Sequence, residues 1–198
     1  MTTSTTPTTD PRPDWFAALE WVNGLAAAVG PDRMADPTPC DGFDVRTLLA
    51  HLVTTVRRPL AVARGTDAMA YPLVSEDVLG DPVTAYAAEC AAAREAWSGA
   101  GGAAALDRTA RVPWGEVPGR AALGGFLNET LVHGWDLAVA TGQDPETDPE
   151  LADRVLTVAR ATIPATPRGG AMPFGPVVPS APDAGPTERL ANWSGHGR

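Results

Sequence analysis

The sequence has no lysine, and its 198 residues include only two cysteines and three histidines. All 15 basic residues are arginines, and 24 acidic residues outnumber them, which gives a net charge of −9 at pH 7. Such a chain offers no basic surface to neutralise phosphates, so we expect no nucleic-acid partner. Two cysteines in a chain of this size also exclude a fold that depends on a network of disulfides.

No hydrophobic run in the sequence approaches the length needed to cross a membrane. The first residues, Met1 to Pro13, are rich in threonine and proline and lack the basic and apolar regions of a secretory signal peptide. We therefore expect a cytoplasmic protein with no membrane partner. Residues 1–12 are predicted to be a disordered tail, and residues 13–198 to be a single domain with a substantial core.

Apolar residues at helical spacing predict five helices. Their ends carry recognisable signals: Asp44 and Asp81 are N-caps, and Gly142 lies where a C-terminal glycine is expected. Pro59 falls inside the second helix and is predicted to kink it or end it early. The predicted helices run from Asp14 to Val29, from Asp44 to Leu60, from Asp81 to Trp97, from Gly119 to Thr141, and from Asp148 to just before Pro164.

Between and after these helices the sequence is rich in glycine and proline. Gly99 to Gly102 is expected to stop the third helix, and a loop follows in which Arg108 to Pro113 is predicted to be extended. No strand pattern is long enough to build a sheet. The tail after Pro164 still carries apolar residues, so we expect it to pack on the body, with a short helix near Thr187 to Trp193. The predicted fold class is all-α, a mostly antiparallel helical bundle.

Two of the three histidines suggest a metal site. Glu129 and His133 are four residues apart on a predicted helix, so their side chains project from the same face. His51, in the middle of the second helix, is the candidate for a third ligand. Two imidazoles and one carboxylate suffice for a divalent metal with open coordination positions.

The same residues have a purely structural interpretation. Glu129 and His133 can form a solvated helix pair, which stabilises a helix by only a few tenths of a kcal/mol. His51 can equally be a surface histidine or a hydrogen-bonded core histidine. Spacing alone leaves both interpretations open, because an acid and a histidine four residues apart often arise by chance.

Two longer stretches resemble the DinB-like metal-binding proteins related to mycothiol-dependent maleylpyruvate isomerase. They are Thr38 to Leu52, which contains His51, and Leu127 to Gly142, which contains Glu129 and His133. The C-terminal tail is similar to that of actinobacterial members, at Phe174-Gly175-Pro176, at Asp183-Ala184 and over Glu188 to Ala191.

The resemblance implies an up-down-down-up four-helix bundle, here with an additional helix and a packed irregular C-terminal tail. It also implies a divalent metal, usually zinc, held by His51, Glu129 and His133. Characterised relatives include isomerases and S-transferases that use a low-molecular-weight thiol such as mycothiol. We expect no counterpart here of the extra C-terminal domain of the isomerase itself, and this expectation argues against carrying maleylpyruvate over as the substrate.

Several functions fit such a site. A metal-bound thiolate that adds to an electrophilic small molecule is the leading hypothesis, and Asp136 is the candidate for holding a ring N–H of His133. The alternatives are a metal-dependent hydrolase, a non-catalytic metal-binding or ligand-binding module, and a metal-free bundle. The last would form a homodimer through alanine-rich faces such as Asp81 to Trp97.

Other residues have open roles in the sequence. Cys40 can be a fourth ligand, a reactive thiol or a small buried apolar residue. His196 is close to the site only if the tail folds over it, and Trp114 either lines a cleft mouth or caps the bundle. Four arginines are candidates to bind a substrate carboxylate, and the sequence does not distinguish among them. They are Arg57, Arg58, Arg64 and Arg120.

Overall fold

A computed structural model describes residues 10–169 and 174–198, so residues 1–9 of the predicted disordered tail lie outside the described part of the chain. The described residues are mostly helical. The α-helices are α1 (Arg12–Ala27), α2 (Val45–Arg64), α3 (Pro82–Ser98), α4 (Ala100–Ala105), α5 (Gly119–Thr141), α6 (Pro149–Thr162) and α7 (Pro186–Ser194). Strands β1 (Thr109–Val112) and β2 (Gly115–Pro118) form an antiparallel hairpin.

The helix ends confirm the capping signals in the sequence. The Asp44 carboxylate accepts a hydrogen bond from the Thr47 backbone N–H at the start of α2, and Asp81 does the same for Thr84 at the start of α3. Gly142 ends α5 with a positive φ of 69°, a conformation that costs glycine little. The interactions at Asp44 and Gly142 set one end each of α2 and α5, the helices that carry the candidate ligands.

Four long helices, α1, α2, α3 and α5, form the bundle predicted from the sequence, and the fold is DinB-like. α5 packs against both α1 and α2, while α3 packs against α1 and α2 on the other side. Large aromatic side chains fill the centre and are fully buried: Trp15, Trp97, Trp135, Tyr86 and Phe126. No helix in the described residues is both long enough and apolar enough to span a membrane.

Of the two outcomes predicted for Pro59, the early end of α2 is wrong, because the helix continues through Pro59 to Arg64. A proline inside a helix costs roughly 3 kcal/mol. The residues after it offset this cost, since Leu60, Ala61 and Val62 are each at most 3% exposed. Tertiary burial therefore outweighs the local preference of the backbone.

The connection between α3 and α5 holds more structure than predicted. Gly99 ends α3 as expected, but the short helix α4 starts directly after it at Ala100. Residues 109–112 are extended as predicted, yet they pair with Gly115–Pro118, so the all-α prediction missed a hairpin. Trp114 in its turn is 41% exposed and contacts Phe126, with ring centroids 5.0 Å apart.

The C-terminal tail packs on the body as predicted, and its short helix is confirmed as α7. This helix contacts α5 and α6. Its first turn is fixed by Glu146, whose carboxylate accepts hydrogen bonds from the backbone N–H groups of Thr187 and Glu188. After α7, the backbone N–H of His196 donates to the Ala191 carbonyl, which sets the direction of the last residues.

We expect Gly134→Ala to destabilise the protein by about 1–3 kcal/mol, because an added Cβ overpacks the contact between α1 and α5. That Cβ would lie 2.3 Å from the Trp21 ring and 2.7 Å from Cγ2 of the fully buried Val22. Gly124 on the same helix is the matched control, because a Cβ there meets nothing within 4 Å. Gly124→Ala should be neutral or stabilising by up to about 1 kcal/mol. Urea unfolding measures both, and equal effects would contradict the packing argument.

Candidate metal centre

His51 lies in the middle of α2 and is only 5% exposed. Its Nδ1 is 2.7 Å from the carbonyl oxygen of Leu73. A carbonyl oxygen can only accept, so Nδ1 carries the proton and donates it. In the neutral ring this leaves a lone pair on Nε2, which is the form that ligates metals.

Burial keeps the His51 ring neutral. Removal from water, followed by the neighbouring His133, lowers the pKa of His51 from its ordinary value of 6.5 to about 3. The hydrogen bond to Leu73 acts in the opposite direction and is outweighed. The ring is therefore an uncharged donor at neutral pH.

His133 approaches His51 from α5. The two ring centroids are 4.6 Å apart, and the rings are nearly perpendicular at 89°. Nδ1 of His133 is 3.0 Å from Oδ2 of Asp136, whose side chain is fully buried. A carboxylate accepts the proton of Nδ1–H, and in the neutral form of the ring this leaves the lone pair of His133 on Nε2. Both histidines thus show the arrangement in which an oxygen acceptor orients a metal-binding ring.

Asp136 is charged despite its burial. Loss of solvent alone would raise its pKa, but hydrogen bonds from His133 and His196 outweigh that effect and leave the pKa below its usual value. The carboxylate therefore stays ionised and able to accept from an imidazole N–H at neutral pH.

Glu129 lies one turn before His133 on α5. Its Oε2 is buried and has no hydrogen-bond partner among the described residues. Burial raises the pKa of Glu129, and the nearby His133 and Arg58 offset only part of that increase. A buried carboxylate oxygen without a partner is costly, and a cation is the partner that would relieve the cost. The residues present therefore fit a divalent metal.

A second set of potential metal ligands lies closer together than the predicted trio. The ligand-type atoms of Cys40, His133, Asp136 and His196 all lie within 4.8 Å of one another. Within residues 10–169 and 174–198, the ligand-type atoms of the predicted trio, His51, Glu129 and His133, do not all lie within that distance of one another. The two histidine rings of the trio are nevertheless in contact. The structure thus brings His51 and His133 together and adds Cys40 and His196 beside them.

Little in the local sequence indicates that His196 belongs to this site. It lies 60 residues after Asp136, yet its Nδ1 is 2.9 Å from Asp136 Oδ2, and its ring centroid is 5.4 Å from that of His133. Only the folding of the tail over the bundle brings His196 into the site. No local pattern around His196 indicates that outcome.

The four candidate arginines lie in different environments in the structure. Arg57 is paired with Asp77 and Glu89, and Arg120 is paired with Asp107. Arg64 is exposed at the end of α2.

Arg58 is different, because it is only 8% exposed and lies two helical turns after His51. One of its Nη atoms donates to the Tyr71 carbonyl, while its Nε has no partner among the described residues. Its charge acts on Glu129, so it is the arginine associated with the centre.

We expect the metal-free protein to lose stability as the pH falls below about 6.5. In the unfolded chain His51 becomes protonated near that pH, whereas in the folded protein it stays neutral until about pH 3. One proton corresponds to about 1.4 kcal/mol per pH unit, or about 2–3 kcal/mol between pH 6.5 and 4.5. Glu129 contributes in the opposite direction, because its pKa is raised in the folded state.

The comparison with His51→Asn isolates the contribution of His51, since Glu129 is common to both proteins. The asparagine amide can still donate to the Leu73 carbonyl but does not titrate. Urea unfolding at several pH values should show the shallower pH dependence in this variant. Identical slopes in the two proteins would mean that His51 is not a buried neutral ring.

Comparison with known protein families identifies the family of this chain. The family described as the mycothiol maleylpyruvate isomerase N-terminal domain matches residues 15–138. The chain belongs to this family. The match contains His51, Glu129, His133 and Asp136, whereas the tail that supplies His196 lies outside it.

Related proteins support the assignment. Two uncharacterized proteins of Mycobacterium tuberculosis, from two strains, are each 36% identical to this chain over 182 residues, which is 92% of either chain. The crystal structure of the mycothiol-dependent maleylpyruvate isomerase superposes with a TM-score of 0.57 and 18% identity. That match covers 79% of this chain and 70% of the isomerase, and it shows that the two share a fold.

Proposed function

We propose that this protein binds a divalent cation, most simply Zn²⁺, through His51, Glu129 and His133, and uses it in thiol-dependent chemistry on an electrophilic small molecule. The observation that carries the proposal is the pair of imidazole rings in contact across α2 and α5. Each ring donates its Nδ1–H to an oxygen and keeps Nε2 free. The unpartnered Oε2 of Glu129 supplies the negative charge on the same helix face as His133.

The residues around the centre have distinct roles in this proposal. The Leu73 carbonyl and the Asp136 carboxylate hold the two rings in fixed orientations. A cation bound there would favour the thiolate form of a small thiol at neutral pH. Arg58 places a buried positive charge near Glu129, where it can bind an anionic group of the substrate or the thiol.

Family membership supports a thiol of the mycothiol type as the cosubstrate. The relative with a solved structure is named as a mycothiol-dependent isomerase of maleylpyruvate. Isomerisation and S-transfer both begin with thiolate addition to an electrophilic carbon, so the same centre suits either reaction. A metal-dependent hydrolase and a non-catalytic metal-binding module remain the competing functions.

The test combines metal analysis with a thiol-dependent assay. We expect the purified protein to bind zinc and to consume mycothiol with electrophilic small molecules, and a chelator should abolish this turnover. Glu129→Gln, which keeps the size of the side chain but removes its charge, should weaken metal binding. Metal binding without thiol consumption would support the non-catalytic module, and turnover without the thiol would support the hydrolase. Absence of any bound metal would contradict the proposal.

We expect Arg58→Ala to raise the KM for carboxylate-bearing electrophiles by about 10-fold or more, because a charge-assisted hydrogen bond contributes about 1.5–3 kcal/mol. The KM for uncharged electrophiles should change much less. Arg64→Ala is the control, because Arg64 lies on the same helix but is exposed. Steady-state kinetics with paired charged and neutral substrates measures the difference. Equal effects on both substrate types would remove Arg58 from the binding site.

A further inference from the structure

Cys40, Asp136 and His196 come from three distant segments of the chain and meet beside His133. Cys40 lies in the loop before α2, Asp136 lies on α5, and His196 follows α7. Their ligand-type atoms, together with those of His133, lie within 4.8 Å of one another. Such a convergence of one sulfur, one carboxylate and one imidazole cannot arise from helical spacing and depends on the packed tail.

The positions of these three residues are fixed by the surrounding structure. The backbone N–H of Cys40 donates to Oγ1 of Thr38, and the loop closes with a hydrogen bond from the Thr38 N–H to the Phe43 carbonyl. Asp136 is fully buried. His196 is fixed by two hydrogen bonds, from its backbone N–H to the Ala191 carbonyl and from its ring Nδ1–H to the Asp136 carboxylate.

We propose that Cys40, Asp136 and His196 form a second site for a divalent cation of the zinc class, beside the predicted trio. Thiolate, imidazole and carboxylate are the three donor types that zinc accepts in proteins, and three protein ligands leave a position for water or a small ligand. His133 keeps its Nδ1–H bond to Asp136 in this arrangement, so it serves the first centre through Nε2. The second site is argued from other residues and does not depend on the first.

Cation binding at this site must release a proton. Burial, with the charges of Asp136 and Asp41 in addition, raises the pKa of the Cys40 thiol to about 12, so the free protein carries the thiol form at neutral pH. The cation replaces the proton on sulfur, and that proton passes to solvent. The cation also takes the place of the Nδ1 proton of His196, and the neutral ring carries its proton on Nε2 instead. No oxidation or reduction is involved. Binding should therefore acidify a weakly buffered solution, and it should weaken as the pH falls.

The experiment uses Co²⁺ as the probe, because a cobalt–thiolate bond gives charge-transfer absorption in the near ultraviolet that nitrogen and oxygen ligands do not give. We expect this absorption in the full-length cobalt-loaded protein, with about two cations bound per chain at saturation. Cys40→Ser should remove the absorption and about one of the two cations, and His196→Ala should weaken that site by at least about 10-fold. Cys90→Ser is the matched control, because Cys90 is also free and partly buried but lies on α3.

The two centres can be told apart in the same titration. His51→Ala should leave the thiolate absorption in place while removing the other cation. Its persistence in that variant supports the second site even if the first proves empty. A saturated wild-type protein without thiolate absorption would overturn the second site and leave the first to be judged by His51→Ala alone. Thiolate absorption that survives Cys40→Ser and disappears in Cys90→Ser would also overturn it. Circular dichroism establishes that each variant is folded.

Discussion

His133→Ala is expected to reduce the proposed thiol-dependent turnover by at least about 100-fold and to abolish cation binding at the proposed first centre. The reason is that His133 connects the other parts of the site. Its ring contacts His51, its Nδ1 is bonded to Asp136, and Glu129 precedes it by one helical turn. Alanine removes a proposed ligand and, at the same time, a hydrogen-bond partner of the buried Asp136 carboxylate. Metal content and kcat/KM, measured on the same preparation, check the prediction.

Asp136→Asn is the graded control for this result. It keeps the size of the side chain and an oxygen that can accept from His133, but it loses the charge. Residues that orient a metal-binding histidine typically affect metal affinity or activity by about 10–100-fold. The effect of Asp136→Asn should therefore be smaller than that of His133→Ala. A His133→Ala protein that retains both its metal and its turnover would show that the reaction occurs elsewhere.

Trp97→Ala is expected to lower the free energy of unfolding by about 3–5 kcal/mol, the range for removing a buried large aromatic side chain. Trp97 is fully buried, and its ring contacts the edge of Trp15 with centroids 6.4 Å apart. Its indole N–H also donates to the Pro59 carbonyl at 3.0 Å, which links α3 to α2 at the proline itself. The variant therefore leaves a cavity at the junction of three helices of the bundle.

Two controls define this effect. Trp97→Phe keeps most of the buried area but loses the hydrogen bond, so its cost should be clearly smaller than that of the alanine variant. Val158→Ala on α6 should change stability by no more than about 0.5 kcal/mol, because Val158 is 56% exposed. Urea unfolding followed by circular dichroism avoids the loss of a fluorescent reporter. A cost below about 1 kcal/mol for Trp97→Ala would mean that this junction is not a packed core.

Helix ends were predictable where a local interaction decides them. Asp44, Asp81 and Gly142 satisfy the free backbone groups of a helix end within a few residues, so the sequence pattern alone is informative. Pro59 shows the limit of that reasoning. Its cost is also local, but the burial that outweighs it comes from helices elsewhere in the chain. The hairpin of β1 and β2 was missed because its strands are only four residues each, too short for a periodicity signal.

The same division applies to the candidate site. The sequence by itself determined that Glu129, His133 and Asp136 share one face of a helix, because helical geometry fixes the direction of side chains three and four residues apart. Tertiary structure alone decided that the charge of Arg58 acts on Glu129 and that Cys40 and His196 lie beside Asp136. Contacts between residues far apart in the chain depend on how the helices and the tail pack, and no local periodicity encodes that packing.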